Sequence, residues 1–332
     1  MGLVALSSLA LFSCQSSTTT GSPSAHPSGG GPTGRSGAAA GFDPATGELV
    51  IFGGTGGSAT LDDTWVHDKT SWKHVDTQTH PSGRFNAAAS EDIVHHNLVL
   101  FGGYGGAPLA DTWVWSRGSW TLMHPSTSPG PRFGHTMAYD SVRQRVVLFG
   151  GQSGPNAVLN DTWTWDGDNW TRVAAAGGPA AGKAFGAMAF DSRIGVTVLT
   201  GVIPDGDLST WTFDGTNWMR LLPTGQGNQP WADNTPAAYY PTAGKVFMFV
   251  AGPRPPDPSG RLLAFEGSAW LAVDAAVLPP ARVGATFALC PALNRLVLFG
   301  GAAVTLTTGG LSSGQVLSDT WTWDGHNWTP EA

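Results

Sequence analysis

Charged side chains are scarce in this chain. Lys and Arg number 17 and Asp and Glu 24 among 332 residues, 12% of the total, where roughly 25% is usual. With a net charge of −7 there is no basic excess to concentrate DNA or RNA, so nucleic acid is not expected as a partner. Cysteine is scarcer still: Cys14 and Cys290 cannot supply a disulfide framework or a thiolate metal site. Helical periodicity is missing, and so is any apolar run of the about 20 residues that a membrane-spanning helix needs. Low charge does not mean disorder here, because 15 Trp and 15 Phe provide the apolar area that a disordered chain lacks.

What is present starts with a short apolar stretch, Gly2 to Phe12, of a length that suits a signal-peptide core. It ends in Leu11-Phe12-Ser13-Cys14, which resembles a bacterial lipobox. That resemblance implies acylation of Cys14, although no Lys or Arg precedes the apolar run. Residues 15–33 are Ser, Thr, Gly and Pro almost throughout and read as a flexible linker. The expectation is therefore an extracytoplasmic domain, membrane-anchored or secreted, that touches a membrane only through lipid on Cys14.

A repeat of about 50 residues fills the remainder. Trp72, Trp120, Trp170, Trp218, Trp270 and Trp328 lie 48, 50, 48, 52 and 58 positions apart. Asp161-Thr162-Trp163-Thr164-Trp165-Asp166-Gly167-Asp168-Asn169-Trp170 returns closely as the segment from Asp319 to Trp328. Upstream of each copy runs an apolar stretch that closes, in four of them, on a glycine pair, as in Leu98-Val99-Leu100-Phe101-Gly102-Gly103. Each unit reads as four strands. Strand A is rich in Gly and Ala, and strand B is apolar throughout, as when both faces are covered. Strand C alternates and ends on a tight Asp-Gly turn, and strand D opens on the Trp. Six such units predict an all-β, six-bladed β-propeller of four-stranded antiparallel blades. Small strand-A residues would face the axis and indoles would fill the gaps between blades.

A glycine pair closing strand B, an aromatic on C and a Trp opening D together resemble the kelch-repeat pattern of bacterial extracytoplasmic propellers, galactose-oxidase-like in fold. The resemblance covers residues 34–330, with blades at about 34–76, 83–124, 131–174, 182–222, 232–274 and 281–330. Repeat 5 lacks the glycine pair and the first strand-C aromatic, so an irregular blade is expected there. Each blade is one contiguous repeat, which leaves ring closure to packing of the first blade against the last.

The D–A and B–C loops share one end of such a propeller, here termed the upper end, and the short A–B and C–D turns share the lower end. The more varied upper loops are the expected binding surface. A cation stands where strand A begins in five repeats: Arg35, Arg84, Arg132, Lys183 and Arg282. These could ring the channel mouth as an anion site. They could instead pair with Asp63, Asp111, Asp161 and Asp319 at the start of strand C. The exchange of Asp233 and Arg261 in repeat 5 favours pairing. Tyr104, Trp231 and Arg254 are further upper-end binding candidates, and Ala302 to Ser318 forms the longest B–C loop.

No nucleophile elbow, phosphate loop or metal-ligand spacing stands out, and no catalytic residue, metal or cofactor is assigned. His95-His96 falls in a lower turn, and His135 has no carboxylate partner in sequence. Galactose oxidase-like copper chemistry needs a Tyr–Cys crosslink, a poor match for Cys290 and four Tyr. The reading that results is a monomeric, non-catalytic module recognising a protein or glycan through its upper face. The alternative is an enzyme acting on a sugar acid at the channel mouth, as the family resemblance to the bacterial sialic-acid mutarotase implies.

Overall fold

The computed structural model describes residues 30–179, 185–200, 209–221, 235–251, 259–307 and 310–331. Among them are no helices and six four-stranded antiparallel sheets. The first holds Ala39–Phe42, Leu49–Phe52, Thr64–His67 and Trp72–Val75, and the second Ala88–Asp92, Asn97–Phe101, Thr112–Ser116 and Ser119–Met123. The third holds Thr136–Asp140, Arg145–Phe149, Thr162–Trp165 and Trp170–Val173, and the fourth Ala187–Asp191, Val196–Thr200, Thr210–Phe213 and Trp218–Leu221. The fifth holds Ala237–Tyr240, Lys245–Ala251, Gly260–Phe265 and Trp270–Ala272, and the sixth Thr286–Cys290, Arg295–Phe299, Thr320–Trp323 and Trp328–Pro330. Strand B is buried almost end to end because neighbouring sheets cover both faces, whereas strand D buries its Trp and exposes the two residues after it.

The six A strands form a closed circle, each touching the next and the last touching the first. This is a β-propeller. The cation-bearing segment before strand A joins neighbouring sheets. The Arg84 N–H donates to the Leu61 carbonyl (3.1 Å) and the Arg84 carbonyl accepts from Gly54 N–H (2.8 Å). Arg132 repeats this with Leu109 and Gly103. Arg35 does the same with Leu317 (3.2 Å) and Gly301 (2.8 Å) of the sixth sheet, so backbone hydrogen bonds close the ring as well as packing. The glycine pair follows from this approach. Gly53 and Gly54 have φ of 66° and 96°, and a Cβ on Gly53 would sit 2.5 Å from the Arg84 carbonyl oxygen. Only glycine adopts that backbone without steric cost and admits the neighbour.

Indoles seal the gaps between sheets. The Trp opening strand D donates its Nε1–H to the first threonine of strand C in the preceding sheet: Trp120 to Thr64 (2.9 Å), Trp170 to Thr112 (3.0 Å), Trp218 to Thr162 (2.9 Å) and Trp270 to Thr210 (3.0 Å). Trp72 completes the circle on Thr320 of the sixth sheet (2.9 Å). Trp328 is the exception, with an Nε1 that has no hydrogen-bond partner. The strand register puts Leu262 opposite Phe249 as it puts Thr162 opposite Phe149, so the hydroxyl this indole needs is absent.

Three expectations need correction. Strand A starts about four residues after the cation, at Ala39 rather than Arg35. Repeat 5 forms a regular four-stranded sheet, because Val246 to Ala251 is buried throughout without any glycine pair. The segment Ala302 to Ser318 is no loop: Ala302–Thr307 pairs with Gly310–Val316 and with Arg282–Val283 in a sheet of its own.

A second device ties the first sheet to the sixth. His67 occupies the position of Trp115 and Trp165 in other sheets, and its Nε2 lies 2.9 Å from Glu331. Burial by itself would lower the His67 pKa, but Cys290 and Glu331 outweigh it and raise the value to about 9. A histidine with a raised folded pKa stabilises the fold fully below its unfolded value near 6.5, and that stability fades as pH rises through 9. We expect stability to fall by roughly 2–3 kcal/mol between pH 6.5 and pH 9, and His67→Gln to flatten this dependence. Urea titrations at stepped pH read it directly, and a wild-type curve that is flat over that interval contradicts the assignment.

Candidate functional site

Four of the five cations predicted at the mouth are found in clamps within their own sheets. Arg35 Nη1 and Nη2 meet Asp63 Oδ1 and Oδ2 at 2.6 and 2.8 Å, and Nη1 also reaches the Gly53 carbonyl at 3.1 Å. Arg84–Asp111, Arg132–Asp161 and Arg282–Asp319 repeat this on Gly102, Gly150 and Gly300. The long guanidinium side chain spans the end of strand B, and so pairs strand C with the segment before strand A. Trp113, Trp163 and Trp321 donate to the same carboxylates at 2.7 Å. Burial alone would raise Asp111, Asp161 and Asp319, but the guanidinium and indole donors hold all three below the ordinary carboxylate range. Since the four arginines are at most 2% exposed, their donors are not offered to a ligand. Arg261 stands at the acid position of the fifth sheet; Lys183, Asp233, Trp231, Arg254 and Cys14 lie outside the described residues.

Backbone, not side-chain charge, lines the upper mouth. Asn86 N–H donates to the Gly37 carbonyl (2.7 Å), Gly134 to Asn86 (2.8 Å), Phe185 to Gly134 (2.7 Å), and Gly37 to Gly284 (2.8 Å). All five residues have φ between 52° and 67°, so this collar of left-handed residues narrows the channel to a cavity of about 70 Å³. His135 lines it where neighbouring sheets carry Ala38, Ala87 and Ala285. Its ring is 5% exposed and neither nitrogen makes an ordinary hydrogen bond. Burial and then the charge of Arg132 push its pKa down to about 3, so it is neutral at physiological pH.

Around this collar lies an arc of half-buried rings. Tyr104 sits 5.4 Å from Phe85 and 5.3 Å from Phe133, and Phe133 sits 6.1 Å from Phe185. Tyr104 is held in place by backbone bonds with Phe85 in both directions (3.1 and 2.8 Å). Tyr104 was legible in the sequence, but its companions were not. Their signal was positional, because Phe85 and Phe133 each follow a clamp arginine directly.

Lower down, the A strands enclose a cavity of about 490 Å³ that reaches the A–B turns. Seven residues after each cation the chain places Phe42, Glu91, Tyr139, Phe190 and Leu289 on its wall, joined by Tyr239 from the fifth sheet. Among the described residues Glu91 is the one charged residue lining it, and no Lys, Arg or His does. The Glu91 side chain is half-buried on the channel wall. Burial pushes it above the ordinary carboxylate range, offset in part by its own backbone N–H. Burial, then the charges of Asp92 and Glu91, push the Tyr139 phenol up. His95 pairs with the buried Asp92 at the adjacent turn (Nδ1 to Oδ2, 2.8 Å), and among the described residues no group of His, Cys, Asp and Glu has a metal-binding arrangement.

No protein-family model matches the chain, and no curated protein resembles it at a significant level. Among solved structures, that of YjhT matches with a TM-score of 0.61 and 15% identity over 92% of this chain and 99% of that one. The likeness is one of fold. With 307 chains matching significantly, the shared architecture is too widespread to carry an activity with it.

Proposed function

We propose that this propeller is a non-catalytic binding module that recognises a glycan through its upper face. The observation that carries the reading is the arc Phe85, Tyr104, Phe133 and Phe185, four linked rings left partly exposed beside the collar. Tyrosine and phenylalanine faces suit the C–H faces of a sugar ring. Because the rings of the arc pack on one another on a hydrogen-bonded scaffold, little side-chain entropy is lost when a ligand settles on it. Asn86 and Gln152 flank the rings with polar groups for hydroxyls. An acidic sugar gains less, since the clamp arginines are spent on aspartates.

The test is a glycan array followed by calorimetry on the neutral sugars that bind, with sialic and uronic acids included. Tyr104→Ala combined with Phe133→Ala is expected to weaken binding about tenfold or more, the loss of roughly 1.4 kcal/mol or above. Affinity unchanged in that variant would remove the support. Turnover of any bound sugar, followed by NMR, would replace this reading with an enzymatic one. We further propose that lipid on Cys14 tethers the module outside the cytoplasm. Labelled fatty acid should enter the full-length protein and not its Cys14→Ser variant.

A further inference from the structure

We infer that the lower central channel is a binding site for a small organic ammonium ion, with Glu91 as its counter-ion and Phe42, Tyr139, Phe190 and Tyr239 as its walls. The A strands follow one another around the axis in chain order, so Glu91 stands between Phe42 and Tyr139 and faces Tyr239 across the channel. The cavity of about 490 Å³ falls in the size range of small-molecule sites, roughly 300–1,000 Å³.

The charge pattern selects the ligand class. Among the described residues an anion would meet a carboxyl and no cation. A wholly apolar ligand would strip water from Glu91 and leave it unpaired, a substantial cost. A bare divalent cation would find one carboxyl and mostly carbon walls, where Ca²⁺ takes about six to eight oxygens. An alkylated ammonium fits each feature. Its charge pairs with Glu91, its carbon groups fill the apolar channel, and ring faces favour a cation by their quadrupole. Burial that raises the carboxyl pKa also strengthens its attraction for a cation that enters the channel. At the matching level of the other sheets stand Phe, Tyr and Leu, so the fold does not require a carboxyl there.

Choline and tetramethylammonium are the probes, titrated by calorimetry into the intact propeller beside 3,3-dimethylbutan-1-ol, a neutral mimic of choline's shape. Both ammonium ions should bind and the alcohol should bind at least tenfold more weakly than choline. Glu91→Gln should lose at least tenfold in choline affinity while remaining folded, with a melting temperature no lower than that of the unaltered protein. Saturation transfer should run from N-methyl protons to Phe and Tyr ring protons. Equal binding of alcohol and choline, no binding of either ammonium, or undiminished binding by folded Glu91→Gln would overturn the inference. The comparison of ammonium with alcohol uses the unaltered protein, so it decides the matter even where the variant is unstable. Glycan binding at the upper arc is separate and stands or falls by itself.

Discussion

Arg35→Ala is expected to lower unfolding stability by about 3–5 kcal/mol, the cost of leaving a buried charge without its partner. Arg35 makes two short bonds to Asp63 and one to the Gly53 carbonyl, and its Nε–H donates to the Thr33 carbonyl (3.1 Å). Its backbone also closes the ring on Leu317 and Gly301. Alanine preserves those backbone bonds, so the effect isolates the clamp. The four clamps form a natural series, with aspartate side chains 4%, 15%, 29% and 39% exposed for Asp63, Asp161, Asp111 and Asp319. Water compensates a stranded carboxylate better as exposure grows. The order of loss should therefore be Arg35, Arg132, Arg84, then Arg282. Urea melts of the four alanine variants measure it. Losses under about 1 kcal/mol throughout, or the reverse order, would show that the clamps do not hold the sheets.

Trp170→Ala should cost a comparable 3–5 kcal/mol, as large-to-small changes at well-packed aromatics do. Trp170 is 1% exposed. Its ring lies 5.4 Å from Trp165 and 5.3 Å from Phe101 of the preceding sheet, and its Nε1–H is spent on Thr112. The cavity would open on a seam between two sheets, where neither can collapse without moving the other. Trp170→Phe separates the terms: it keeps most of the packing and forfeits the hydrogen bond, so about 1–2 kcal/mol should remain. Trp328→Phe, at the seam where no such bond exists, should cost less than Trp170→Phe.

Much of this architecture could be read before any coordinates. The six-fold Trp spacing, the apolar B strands and the glycine pairs each record a local requirement: a seam to fill, two faces to cover, a close backbone approach. The Asp partners of the arginines were visible for the same reason, since repetition turns a long-range contact into a column of like residues. Departures from the repeat were read less well. The fifth sheet proved regular because burial of its B strand suffices, and Ala302 to Val316 paired with itself, which no repeat position announces.

The candidate sites lay furthest from view. Sequence left the strand-A cations between a ring at the mouth and pairs with aspartate, favouring the pairs, and the tertiary structure sets four of them in such clamps, because a guanidinium long enough to cross the end of strand B finds its aspartate there. It also brought Phe85, Tyr104, Phe133 and Phe185 from three repeats into one arc, and set Glu91 alone among rings around the axis. Repeat pattern determines what every blade needs in common, because each blade solves the same packing problem. Which residues meet across the axis or the collar depends on closing the circle, and only folding brings those positions together.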